Sequence, residues 1–357
     1  MATQTTLSDA YRNTHHQPKH IIPLDFESII DLPESHVWTD QCDHETQTVD
    51  LSLESETLPQ ISVNEHSIPI IDLMAPNVVE LVGNACQEWG TFQVTNHQVP
   101  SNLVDDVEAH VRRLFCLPAE QKLKALRVPD GATGYGVARI SPFFSKLMWH
   151  EGFTIMGSAV EHAKQLWPNQ YEEFCDVMDN YQKKMNSLAY KIMIILLKAL
   201  QLEETIAPDY LFQSVGALQL NSYPRCPNPN LAIGLAPHTD SLLLTILHQN
   251  DTNGLQILQE GIGWITVPPI SGALVVNIGD LMHILSNGYF PTVYHRVVPN
   301  EKRHRFSVGY FYGPSTESIV APLVRVSDVS RFRPVMVKEY IGLKNVHLEK
   351  ALDLIRT

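Results

Sequence analysis

Between Ala217 and Tyr312 the chain carries eight short β-rich runs: Ala217–Tyr223, Ile233–His238, Leu243–His248, Gly254–Leu258, Trp264–Val267, Ala273–Ile278, Thr292–Val298 and Phe306–Tyr312. Breaks rich in Gly, Pro and Asn separate them, and many short strands at close spacing signal an all-β sandwich, jelly roll or barrel. This block constrains the fold more than any other feature of the sequence.

The segments around it are mixed. Residues 1–66 combine polar, acidic and proline positions with little periodicity and read as an irregular arm, partly draped over the core. From Ile68 the pattern tightens: IPIIDL is a short apolar strand, Val78–Trp89 is helix-like, and Gly90-Thr-Phe-Gln-Val-Thr-Asn-His is a strand leaving a glycine. Ser101 is placed to N-cap a helix that runs to about Phe115 and ends at Leu117-Pro118. From Tyr171 to Leu202 the apolar residues Phe174, Met178, Tyr181, Met185, Leu188, Ile192, Ile195 and Ala199 alternate spacings of four and three, which is one face of a long helix. A coiled-coil seam has the same spacing, but a single such segment is expected to back a sheet. The tail from Arg331 to Thr357 reads as helix, with Val335, Tyr340, Leu343, Val346, Leu348, Leu352 and Ile355 as candidate buried positions. The divisions expected are the arm over 1–66, a region of supporting helices over 67–207, the β domain over 208–316 and a helical tail over 317–357.

With 357 residues, 44% of them apolar, the chain can bury a sizeable core. Its net charge of −13 offers no basic field for phosphate backbones or anionic headgroups, so neither nucleic acid nor a membrane surface is expected as a partner. The first twenty residues lack the pattern of a secretory signal, and no apolar run approaches the length of a membrane span. Five cysteines (Cys42, Cys86, Cys116, Cys175, Cys226) without a CxxC pair argue for reduced thiols. A cytoplasmic, monomeric protein is the expectation.

Within the β block, His238-Thr239-Asp240 sets an imidazole and a carboxylate two residues apart, a spacing that on a strand places both on one face. His295, 57 positions on, supplies a second imidazole. Two histidines and a carboxylate make the facial set that leaves three positions open on Fe(II). Zinc prefers closed tetrahedral sites and calcium all-oxygen cages, so iron is favoured. HxD alone recurs by chance. The downstream Arg305-Phe306-Ser307 adds a planar two-donor fork and a hydroxyl on one strand face, able to converge on a carboxylate. Asn221 and Tyr223, also on one face of their strand, are placed to reach the same ligand.

With HxD, a distal His and RxS in this order, the sequence resembles the plant 2-oxoglutarate/Fe(II) oxygenases over about residues 68 to 314, including the Gly90–His97 segment and Asn221-x-Tyr-Pro. Within that family the stretches Gly134-Tyr-Gly-Val-Ala-Arg-Ile, Met148-Trp-His-Glu-Gly-Phe-Thr-Ile, Leu166-Trp-Pro and Gly279-Asp-Leu-Met-His-Ile-Leu-Ser-Asn-Gly are most similar to the gibberellin 3-oxidising branch. The resemblance implies an α+β chain with a double-stranded β-helix, or distorted jelly roll, backed by a long helix and a C-terminal helix. It implies Fe(II) on His238, Asp240 and His295, with 2-oxoglutarate on the metal and its far carboxylate on Arg305, Ser307 and Tyr223. Dioxygen, a diterpenoid substrate and ascorbate as reductant are implied with them. Two positions depart from the usual pattern, Gln98 in place of glycine and His150 in place of serine, and both are expected to lie clear of the iron and cosubstrate residues.

His97, His248 and His283 are expected to be structural, since the triad needs none of them. Tyr135, Phe143, Phe144, Trp149 and Phe153 fit a lid over an apolar substrate or the core equally well. Arg139 and Lys146 are candidate partners for a substrate carboxylate, against a commoner reading as solvated cations. A related oxygenase acting at another gibberellin position or on a flavonoid shares the same iron site, and a non-catalytic binding protein on the same jelly roll is the alternative of another class.

Overall fold

The computed structural model describes residues 26, 29–38, 67–128, 131–202, 215–323 and 329–357. Most of the expected N-terminal arm lies outside them. Its described part makes a 3-10 turn at Glu34–His36 and packs on Trp149 through Phe26 and His36, at ring-centroid distances of 4.8 and 5.4 Å.

Each of the eight β-rich runs forms a strand. They are β5 (Val215–Tyr223), β6 (Leu235–His238), β7 (Leu244–Gln249), β8 (Leu255–Gln259), β9 (Gly263–Thr266), β10 (Leu274–Ile278), β11 (His295–Val297) and β12 (Arg305–Gly313). Four more come from the N-terminal half: β1 (Ile70–Asp72), β2 (Thr91–Thr95), β3 (Gly134–Gly136) and β4 (Glu151–Met156). The twelve divide into an eight-stranded sheet in the order β1-β2-β10-β7-β12-β5-β4-β3 and a four-stranded sheet in the order β6-β11-β8-β9. This is the α+β double-stranded β-helix.

Two apolar layers hold it together. One lies between the sheets and contains Tyr223, Ile257, Val267, Val275 and Val297. The larger lies on the outer face of the eight-stranded sheet, where α1 (Val78–Trp89), α2 (Ser101–Phe115) and the 28-residue helix Glu172–Ala199 are packed. That long helix buries Phe174, Met178, Tyr181, Met185, Leu188 and Ile192 against β5, β7 and β12, so it backs the sheet as its periodicity requires.

Caps and ends differ from the expectation in places. Pro100, not Ser101, is the residue before α2, and no side chain caps that helix. The tail is not helix throughout: Val335–Met336 pairs with Ile319–Val320 as a two-stranded ribbon, helix Val337–His347 follows, and the chain finishes in 3-10 turns. Val346 is therefore exposed, whereas Val337 and Ile341 are fully buried. Gln98 has φ +64°, a left-handed backbone that costs a side-chain-bearing residue about 1 kcal/mol and explains why glycine is usual there. Its amide is held by Lys191 Nζ, which donates to Oε1 at 2.8 Å. At Gly90, with φ +65°, an added Cβ would stand 2.6 Å from the Pro291 carbonyl oxygen, so the turn from α1 into β2 admits no side chain.

Candidate metal centre and cosubstrate pocket

His238 ends β6, and His295 opens β11 directly opposite it in the antiparallel register. Asp240 lies two residues beyond the end of β6, not on the strand as HxD alone suggests, and it still turns back onto the same spot. Asp240 Oδ1 is 3.7 Å from His238 Nε2 and 3.9 Å from His295 Nε2, and one ligand atom from each residue lies within 4.8 Å of the others. Among the described residues this is the one cluster of three such groups.

The neighbours orient every donor. His238 Nδ1 bonds the Ala236 carbonyl at 2.8 Å and His295 Nδ1 the Val293 carbonyl at 3.2 Å. A carbonyl only accepts, so Nδ1 carries a proton in each ring and both Nε2 atoms face Asp240. Thr245 Oγ1 donates to Asp240 Oδ2 at 2.7 Å, leaving Oδ1 to face the histidines. Burial, with His295 alongside, pulls His238 down to about 3, so its imidazole is neutral at ordinary pH. Two imidazoles with Nε2 turned toward one carboxylate are a donor set that fits a divalent iron.

Beneath Thr239 sits a network that sequence reasoning missed. Asp280, fully buried at the start of a short helix (Asp280–Leu285), accepts from Lys344 Nζ at 2.6 Å, Tyr340 at 2.7 Å and Thr239 Oγ1 at 3.2 Å through Oδ2, and from Thr292 at 2.8 Å through Oδ1. Burial alone would raise this carboxyl, and Lys344 and the hydroxyls outweigh it and hold it below the usual range. Lys344 also donates to Thr239, the residue between the two candidate ligands. The C-terminal helix thus reaches back to brace the HxD turn, and breaking a buried pair of this kind costs about 3 to 5 kcal/mol. Asp280 falls in the Gly279–Gly288 stretch singled out by resemblance; Lys344, 64 positions on, carries no local signal.

On β12, Arg305 and Ser307 share one face, and the register sets them opposite Tyr223 and Asn221 of β5. Arg305 is fully buried, with its guanidinium 5.0 Å from the Tyr223 ring centroid. Its Nη2 donates to Gln249 Oε1 at 3.0 Å, but Nε and Nη1 have no partner. Gly254 makes room for it, since a Cβ there would stand 2.7 Å from Arg305 Cδ. A buried guanidinium with two idle donors, beside the Ser307 hydroxyl and the Tyr223 phenol, is suited to one end of a dicarboxylate.

Asn221 is already engaged. Its Oδ1 accepts from Gln219 at 3.2 Å and bonds His150 Nε2 at 3.0 Å, and its Nδ2 donates to Ser307 at 3.4 Å. His150, expected to lie clear of the cosubstrate residues, is in fact against them, buried, with its ring 5.1 Å from that of Tyr223. Burial draws it down to about 4.

The other candidates lie elsewhere. His248 bonds Glu108 at 3.3 Å, His283 the Phe290 carbonyl at 2.8 Å and His97 the Gly272 carbonyl at 3.0 Å. Tyr135, Trp149 and Phe153 are buried, and the Tyr135 hydroxyl is tied to Glu151, which Lys122 pairs at 2.5 Å; these are core residues. Phe143 and Phe144 are half-buried. Lys146 is spent on the Glu34 carbonyl, and Arg139 donates to the Ala132 carbonyl.

Comparison with known proteins identifies the chain's relatives. Residues 214–314 match the 2OG-Fe(II) oxygenase superfamily, and residues 68–173 match the N-terminal region described for a non-haem dioxygenase in morphine synthesis. The crystal structure of JOX2 in complex with 2OG, Fe and JA superposes with a TM-score of 0.77 at 27% identity, covering 92% of this chain and 95% of that one. The rice dioxygenase for auxin oxidation gives 0.69 at 25%, covering 82% and 100%. Gibberellin 3-beta-dioxygenase 1 of Pisum sativum is 47% identical, covering 98% of this chain and 94% of its own length. Gibberellin 3-beta-dioxygenase 2 of Arabidopsis thaliana is 44% identical, covering 99% of each. With relatives this similar along nearly their whole length, the chain belongs to the gibberellin 3-beta-dioxygenase family of 2OG-Fe(II) oxygenases.

Proposed function

We propose that this chain hydroxylates gibberellin precursors at C3 on the β face, using Fe(II) and 2-oxoglutarate. The observation that carries the reading is the full-length likeness to gibberellin 3-beta-dioxygenases in a chain that keeps a complete donor set. His238, Asp240 and His295 hold the metal. Arg305, with Ser307 and Tyr223, holds the far carboxylate of 2-oxoglutarate and so aims its keto acid end at the metal, while Asn221 steadies Ser307. Bound iron supplies the oxidising chemistry, in which dioxygen and 2-oxoglutarate are consumed, one oxygen atom entering the substrate as hydroxyl and the other leaving in succinate, with CO2 released.

What the chain itself contributes is placement. An error of about 1 Å at a positioned centre costs on the order of 100-fold, so the carbon attacked is set by pose. Ascorbate, keeping the iron ferrous, completes the reaction mixture. We place the enzyme in the cytoplasm as a monomer, a reading in keeping with a net charge of −13 that offers anionic surfaces no net attraction.

Purified protein with Fe(II), 2-oxoglutarate and ascorbate is expected to convert a C19-gibberellin with an unfunctionalised C3 into its 3β-hydroxy product, with matching succinate. Mass spectrometry showing only 2β-hydroxylation, or oxidation of a flavonoid with no gibberellin product, contradicts the assignment.

A further inference from the structure

Among the described residues, a second cation without an ion-pair partner is linked by hydrogen bonds to the face that carries Asn221 and Ser307. Arg127 lies just before β3, fixed by its amide donating to the Tyr135 carbonyl at 2.8 Å. Its Nη2 donates to Thr154 Oγ1 at 3.1 Å and its Nη1 to the Val137 carbonyl at 3.3 Å; its Nε is shielded from solvent without a partner. Among the described residues no carboxylate lies within 4.0 Å of this guanidinium. The charge that acts on it is another cation, Arg139.

The register shows where Arg127 looks. Thr154 of β4 stands opposite Gln219 of β5, and Gln219 shares its face with Asn221 and Tyr223. A polar chain runs along that face: Arg127 to Thr154, Thr154 to Gln219 at 2.6 Å, Gln219 to Asn221 at 3.2 Å and Asn221 to Ser307 at 3.4 Å. His150, bonded to Asn221 at 3.0 Å, feels the charge of both arginines. From β12 to β4 is two strand spacings, about 10 Å, and the chain of bonds crosses both, from Arg127 to the Ser307 hydroxyl. Arg127 is only half-buried, yet its surroundings pull it down to about 9.

We infer that Arg127, with Thr154 beside it, anchors the carboxylate of an apolar monocarboxylic acid and sets which carbon of that acid is presented to His238, Asp240 and His295. This rests on the hydroxylase reading above and assigns its substrate anchor to a residue other than Arg139 or Lys146. A strut that merely tied the β3 segment to β4 would explain the bonds to Val137 and Thr154. It would not explain a buried idle Nε, which a bound carboxylate answers.

The test compares a gibberellin precursor acid with its methyl ester, which keeps the shape and loses the charge. Wild-type protein is expected to favour the acid by about 10- to 150-fold in KM, the range of a charge-assisted hydrogen bond. Arg127→Met should handle acid and ester alike, near the wild-type level for the ester, with its half-saturation for 2-oxoglutarate unchanged, and Arg127→Lys should recover part of the preference. An Arg127→Met enzyme that keeps the wild-type preference, or loses acid and ester equally, overturns the anchor; so does a wild type that does not distinguish the two. The position of the new hydroxyl judges the C3 reading separately, since a product at another carbon removes that reading while the acid-to-ester ratio still decides the anchor.

Discussion

Replacing His238, Asp240 or His295 with alanine is expected to abolish turnover, by well over 100-fold. Losing a group that only orients a ligand costs on the order of 10- to 100-fold, and losing the ligand itself costs more. Asp240→Ala is the most severe of the three, because it removes the one carboxylate facing the two imidazoles and leaves the Thr245 hydroxyl aimed at nothing. Each variant should keep a wild-type melting profile in the absence of metal, since the side chains removed meet around the metal position and not in either apolar layer. Substantial hydroxylation by purified Asp240→Ala without added ligands would take Asp240 out of the metal set.

The second large effect concerns the cosubstrate. Arg305→Met retains an unbranched, apolar side chain in the groove opened by Gly254 and deletes the two idle donors. A charge-assisted hydrogen bond contributes about 1.5 to 3 kcal/mol, so the half-saturation for 2-oxoglutarate is expected to rise roughly 10- to 150-fold. Substrate affinity should change far less, because the substrate's charge is answered at Arg127. An unchanged requirement for 2-oxoglutarate would move the carboxylate site elsewhere.

The features legible in the sequence were those with a short period or a short spacing. Strands β5 to β12 announce themselves by alternating apolar runs, and Arg305-x-Ser307 reads correctly because β12 is regular through both residues. HxD placed both side chains on one strand face, and the structure brings them together by another route: β6 stops at His238, and it is the turn, braced by Thr239, Asp280 and Lys344, that brings Asp240 back. Strand β3 escaped notice because Gly134-Tyr-Gly has too few side chains to alternate, and it is a strand only by pairing with β4. Lys344 and Arg127 were illegible because each acts through partners far away in the chain or in an irregular segment, where periodicity says nothing. His150 was misjudged for a related reason. Its partner Asn221 is 71 positions away, and only the pairing of β4 with β5 brings the two together.

The central claim is that three converging side chains hold iron while Arg305 presents 2-oxoglutarate to it. The most direct measurement is the visible spectrum of the anaerobic protein titrated with Fe(II) and then 2-oxoglutarate. A weak charge-transfer band of the chelated complex is expected, saturating at one equivalent of iron, absent in Asp240→Ala, and requiring far more 2-oxoglutarate in Arg305→Met. A wild-type protein that shows no such band at saturating Fe(II) and 2-oxoglutarate contradicts the account.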